Sequence, residues 1–302
     1  MKTVYSNGKL LLTGEYVVLD GALSLAIPTK YGQSLTIEEI DQPKLIWQSL
    51  DEKGNVWFQD TFQIKDNKIS NTVKNNDSIS QRLVQILNAA KLLNSKFLHS
   101  HNGFKVTTKI DFPRNWGLGS SSTLINNIAK WANVDAYLLL ENTFGGSGYD
   151  IACAQHNTPI TYQIKNGKPK VQRVKFNPIF KDCLYFVHLN NKQNSRDAIK
   201  HYQENKVAFS ITEIDTITNK IMHSKTLEDF ENLINTHETY ISKITKQKPI
   251  KQLLFNDFNG SVKSLGAWGG DFVLVTSQTN PKAYFKNNGF KTIISYDEMV
   301  LF

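Results

Sequence analysis

GFKVTTKIDFPRNWGLGSSSTLINNIAKW, residues 103–131, holds the change of backbone character on which the fold turns. Gly103 to Ile110 reads as a strand. After Pro113, the glycines and serines of 117–122 lead into a helical stretch that runs to about Trp131. Gly117 and Gly119 let the backbone approach a ligand closely, and Ser120, Ser121 and Ser122 place hydroxyls where the helix begins. A helix N-terminus exposes unpaired N–H groups and a partial positive charge, so a phosphate fits there. The competing reading is that the serines only cap the helix. Other well-known phosphate loops do not match. GxxxxGK[ST] occurs nowhere in the chain, and a dinucleotide fingerprint needs glycine where Ser122 stands, in a βαβ unit near the amino terminus.

Upstream, short β segments are expected at 9–12, 16–19, 24–27 and 34–37, punctuated by Gly14, Gly21, Pro28 and Gly32. Segments 45–47, 56–59 and 61–64 continue the pattern, with a hairpin turn at Gly54-Asn55. Asp77 or Ser78 opens a helix that ends near Asn94. Ser78 and Gln81 have capping-box spacing there, and Ile79, Leu83, Ile86, Leu87 and Ala90 share one face. Downstream, 133–142 reads as a helix, 145–148 as another glycine loop and 158–164 as a strand. The turn 166–170, rich in Gly, Lys and Pro, is the expected hinge between domains 1–170 and 171–302. Beyond it come a strand at 184–189, one long or broken helix over 195–223, and a helix opened by Thr226 and Asp229 that ends before Pro249. Strands at 262–265, 272–276 and 290–295 close the chain.

At 302 residues the chain has room for about two domains, and 40% hydrophobic with 21% charged residues excludes disorder as the main state. No apolar run approaches the ~20 residues that span a bilayer, and the amino terminus lacks a small-residue cleavage pattern, so neither a membrane span nor a signal peptide is expected. Cys153 and Cys183 are the only cysteines, without a CxxC pair or regularly spaced histidines. A disulfide scaffold and structural zinc are therefore not expected, and a cytoplasmic location is. The net charge of +8 admits nucleic acid, an anionic membrane or a phosphorylated small molecule. Only Arg82, Arg114, Arg173 and Arg196 of the 35 basic residues are arginine, and the lysines are scattered. A solvated lysine surface is the expectation, with no nucleic acid and no membrane as partner.

Asp150 follows the loop GGSG, where it can take the proton from a hydroxyl attacking phosphorus or can cap a helix. Glu141, near a helix end, can serve a magnesium ion or be merely solvated. Lys9, after Gly8, can neutralise phosphate charge, lower the pKa of an acceptor hydroxyl, or be a surface lysine. GAWGGDF at 266–272, between two strands, brings bare backbone to a surface, as a plain hairpin also would.

Taken together and in this order, SNGKLLLTGEYVVLDGALSLAIPT (6–29), FPRNWGLGSSS (112–122), GGSGYDIA (145–152) and VKSLGAWGGDFVLV (262–275) resemble the GHMP small-molecule kinases. That family includes galactokinase, homoserine kinase, mevalonate kinase and phosphomevalonate kinase. The Gly-Tyr-Asp-Ile-Ala string resembles a bacterial sub-branch of it, and its surroundings look nearest to the mevalonate and phosphomevalonate kinases. The resemblance implies a two-domain α+β architecture: an N-terminal α/β domain with a left-handed βαβ crossover, and a C-terminal ferredoxin-like domain, with ATP and acceptor meeting between them. It implies that Gly117, Leu118, Gly119, Ser120, Ser121 and Ser122 wrap the ATP phosphates, and that Ser121 and Glu141 hold magnesium. Asp150 would be the catalytic base with Lys9 as its charge partner. Glu15 and Tyr16 would face the acceptor or the nucleotide, and Gly266, Ala267, Trp268, Gly269 and Gly270 would bind the substrate. The implied function is ATP- and Mg-dependent phosphoryl transfer to a small-molecule alcohol or phosphomonoester, most plausibly as a mevalonate-pathway kinase. The alternative is a non-catalytic regulator that keeps the fold and binds nucleotide or metabolite. Asn7 in place of proline, Tyr16 in place of histidine and Trp268 in place of glycine depart from the family's usual pattern.

Overall fold

Lys2–Leu11 (β1) and Ser24–Ile40 (β2) open the fold in the computed structural model, which describes residues 1–65, 68–72, 77–99, 102–191 and 195–302. Lys44–Leu50 (β3), Val56–Lys65 (β4), Lys68–Asn71 (β5), the helix Ser78–Leu93 (α1) and Gly103–Ile110 (β6) follow. Next come the helices Ser120–Ala132 (α2), Ala136–Glu141 (α3) and Tyr149–Gln155 (α4), then Ile160–Lys165 (β7), Lys168–Arg173 (β8) and Leu184–His188 (β9). Ser195–Asn205 (α5), Ile211–His223 (α6), Leu227–Thr245 (α7) and Ile250–Leu254 (α8) precede Val262–Ser264 (β10) and Phe272–Thr276 (β11). Lys282–Asn287 (α9), Ile293–Ser295 (β12) and Tyr296–Met299 (α10) complete the chain. The class is α+β, as expected.

The chain forms two compact units, and each draws on three stretches of sequence. The first takes Met1–Gly8, Tyr31–Arg114 and Gly119–Gln155; the second takes Lys9–Lys30, Asn115–Leu118 and His156–Phe302. This division does not follow the expected cut between 1–170 and 171–302. Residues 166–170 are no hinge, because Asn166 and Gly167, at φ 52° and 72°, make the tight turn of the β7–β8 hairpin. A two-residue turn of this kind needs positive φ at both central positions, which Asn-Gly supplies at little cost.

In the first unit β3 pairs antiparallel with β4 and parallel with β6, while β6 runs antiparallel to the second half of β2. Along β3 every second residue is buried, at Leu45, Trp47 and Ser49, the period of a sheet covered on one face. That face packs Trp47, Phe62 and Val106 against Leu83, Ile86 and Leu87 of α1 and Ile125 and Ile128 of α2. The α1 cap is Asp77, whose side chain accepts from the N–H of Ile79 at 2.9 Å.

The second unit holds the antiparallel sheet β10-β11-β9-β12. Its chain order of strand, helices, strand, strand, helix, strand is the ferredoxin-like arrangement. Val187, Phe255, Val273, Val275 and Phe285 fill its core. Residues 16–19 are not the expected strand: Val17–Asp20 is one 3₁₀ turn, closed by Gly21 in the left-handed region at φ 89°. Of the two readings of 195–223, one long helix or a broken one, the second holds: the stretch divides into α5 and α6, with Ser210 capping α6. Strand β8 went unread because it is an exposed edge carrying Lys168, Pro169 and Lys170, the composition that edges favour. Among the described residues no helix is long and apolar enough to cross a membrane.

Candidate active site

Gly119 stands at the N-cap of α2 with φ 89° and has no side chain to offer the first turn. The serines therefore enter the helix rather than cap it, and the N–H groups at its start are left for an outside acceptor. Helix α4 carries Asp150 in its first turn, half-buried. The two helices are fastened together in the first unit by Asn126, which is buried. Its Nδ2 donates to the carbonyl of Ala154 at 3.3 Å and to Ser6 Oγ at 2.8 Å, and its Oδ1 accepts from Gln155 Nε2 at 3.1 Å. The serine helix and the Asp150 helix are thus neighbours in one packed body. Glu141 ends α3 and is exposed. Among the described residues no group of three or more His, Cys, Asp or Glu side chains is arranged to hold a metal ion.

In the second unit Lys9 is bound twice to the glycine loop. Its backbone N–H donates to the carbonyl of Leu118 at 3.0 Å, and Nζ donates to that of Gly117 at 3.2 Å. Gly117 has φ 66°, and a Cβ there would collide with the carboxyl group of Asp271. Only glycine lets the two loops approach this closely. Asp271, also at positive φ (53°), donates its N–H to the carbonyl of Asn191 at 2.7 Å. The preceding Trp116 meets Phe272 edge-on with ring centroids 5.4 Å apart.

Glu15 has no exposed surface. Its carboxylate pairs with Lys263 Nζ, which also donates to the carbonyl of Ser264 at 2.9 Å and lies 3.9 Å from Glu238 Oε2. Burial raises Glu15 to about 7, against the attraction of Lys263, and raises Glu238 for the same reason. The N–H of Gly14 donates to His237 Nε2 at 3.0 Å. Burial, aided by Lys263, holds His237 well below its ordinary value, so the ring is a neutral acceptor. Tyr16 is buried and stacks on Tyr202 at 5.3 Å, and its hydroxyl accepts from the N–H of Trp268 at 3.2 Å. Trp268 is only 5% exposed and shares an apolar cluster with Tyr16, Tyr202, Ile241 and Ile244. Ala267 and Gly270 are buried, Gly266 is half-buried and Gly269 exposed. Sequence reasoning did not single out Asp271, Lys263, His237 or Glu238. The signals available were a lysine inside a strand feeding a glycine loop, and an aspartate closing GGD.

Neither a known protein-family pattern nor any curated protein matches this sequence. Solved structures do match, and they give the chain the fold of the GHMP small-molecule kinases along its whole length. Mevalonate kinase from Methanococcus jannaschii agrees with a TM-score of 0.72 over 100% of this chain and 98% of its own, at 17% identity. Phosphomevalonate kinase from Streptococcus pneumoniae, solved with phosphomevalonate and AMPPNP, gives 0.71 over 98% and 100%, at 16% identity. Galactokinase from Lactococcus lactis, complexed with galactose, gives 0.64 over 95% and 88%, at 13% identity.

Proposed function

We propose that the protein is an ATP- and Mg-dependent kinase that phosphorylates a small alcohol or phosphomonoester, with mevalonate and phosphomevalonate as the first acceptors to try. The observation that carries this reading is the double tie of Lys9 to the carbonyls of Gly117 and Leu118, at the entrance to a helix that has no side-chain cap. The fold supports it, since its solved examples include kinases for both acceptors.

In this reading the N–H groups at the start of α2 receive the phosphates, and Lys9 offsets their charge. Magnesium on Ser121 and Glu141 supplies further charge neutralisation when bound. An acceptor oxygen forms a bond to the γ-phosphorus while the bond from that phosphorus to the β–γ bridging oxygen breaks, and ADP departs. Asp150 takes the proton if the acceptor is an alcohol. A phosphomonoester is already anionic and needs little from a base.

ADP release measured with mevalonate, phosphomevalonate, galactose and homoserine tests the reading. Asp150→Ala should lower kcat with an alcohol acceptor by about 10²- to 10⁴-fold. A rate equal to wild type would remove Asp150 from the chemistry. With a phosphomonoester, a mild Asp150→Ala defect beside a severe Lys9→Ala defect is expected. A second reading, a non-catalytic nucleotide or metabolite binder, is favoured by the burial of Trp268 at a loop position where the family usually has glycine. Calorimetric nucleotide binding with no ADP formed from any acceptor would select it.

A further inference from the structure

Three ionisable side chains with no place in that chemistry, His237, Glu238 and Lys263, are buried around Glu15. Lys263 lies on β10, the strand that feeds the 266–270 loop, and His237 and Glu238 lie on α7. Glu238 accepts the N–H of Ser264 at 3.1 Å and its O–H at 2.5 Å, while Lys263 joins β10 to Glu15. Gly14 is held by His237. Tyr16, the next residue after Glu15, has φ 64° and ψ −50°, a rare conformation for a bulky side chain. Such a backbone persists only where its surroundings over-determine it. The Tyr16 hydroxyl then meets the N–H of Trp268 in the loop that β10 feeds.

We propose that Lys263 is a positioning residue for the acceptor site: its buried pair with Glu15 fixes the Gly14-Glu15-Tyr16 turn against the 266–270 loop, so that Tyr16 and Trp268, both buried, support the acceptor surface only while the pair is intact. The proposal rests on the kinase reading for the role of that surface. Removing Lys263 alone leaves Glu15 and Glu238 in a dry interior without their cation, whereas neutralising Lys263 and Glu15 together relieves the charge without restoring the tie.

The test compares wild type, Lys263→Met and the double variant Glu15→Gln/Lys263→Met in three measurements: Tm, the acceptor KM and kcat with the best substrate of the panel, and acrylamide quenching of Trp268. Quenching is read as the difference from Trp268→Phe in each background. Both variants should raise the acceptor KM about tenfold or more while kcat and the KM for ATP stay within about threefold, the pattern of lost ground-state positioning. The double variant should recover Tm but not KM, and Trp268 should become more quenchable in both. An unchanged acceptor KM in either folded variant overturns the proposal, as does recovery of KM together with Tm in the double variant. If wild type phosphorylates no acceptor, the kinase reading fails by itself. Quenching then decides the coupling, and unchanged Trp268 accessibility in the double variant overturns it.

Discussion

Burial moves Glu15 from an ordinary carboxylate value of 4.5 to about 7, with Lys263 opposing the shift and Glu238 adding to it. Between those values the folded chain holds more protons at this site than the unfolded chain. The stability that Glu15 contributes is therefore full below about 4.5 and is lost as pH rises through about 7. Glu15→Gln cannot titrate, so the fall in urea-unfolding stability across that window should be shallower in the variant than in wild type. Equal slopes would mean that folding leaves the Glu15 pKa unshifted. The partner of this carboxylate was not legible in the sequence, because Lys263 lies 248 residues away and lysine is almost never buried. Lys9 and Gly117 were marked by their neighbours in sequence, a glycine before the lysine and a glycine at the head of the serine run, but not the bond between them from Lys9 Nζ to the Gly117 carbonyl, which joins residues 108 apart.

Elements whose signals are local were read well. Asp77, Ser78 and the apolar face that follows them marked α1 to within a residue at its start, and its cap is the Asp77 side chain on the N–H of Ile79. Asp77→Ala should cost about 1 kcal/mol of stability by chemical denaturation and leave turnover unchanged. A loss of activity with no loss of stability would contradict a purely capping role. The turn 17–20 was misread because Tyr16, Val17, Val18 and Leu19 have strand-like composition. Their burial against distant side chains, with Gly21 closing the turn, overrides that propensity. The ferredoxin-like sheet came from the family resemblance alone, since nothing in the periodicity of 184–295 says that β11 lies between β9 and β10.

At the scale of the whole molecule, the two units interleave along the chain. Residues 13–23 belong to the second unit and bond to partners far downstream: Thr13 to Thr218, Gly14 to His237, and the N–H of Leu23 to Asp215. A fragment ending at residue 170 lacks all three partners. Thermolysin should cut that fragment between residues 13 and 23 at the rate of an unfolded chain, while the full-length protein resists. Equal resistance would restore residue 170 as a true domain boundary. Sequence reading could not reveal the interleaving, because composition changes mark where a chain bends and not which distant stretch it returns to.

The bond from Gly14 to His237 joins residues 223 apart. On a ribosome adding about 5–20 residues per second, Gly14 is made roughly ten to forty-five seconds before its histidine. By then every residue of the first unit has been polymerised, since that unit ends at Gln155. While that unit is being made, the hydrophobic turn after Gly14 has none of the native partners it packs against downstream, Tyr202, Ile214, Ile241 and Trp268 among them, all of which lie in the second half of the chain.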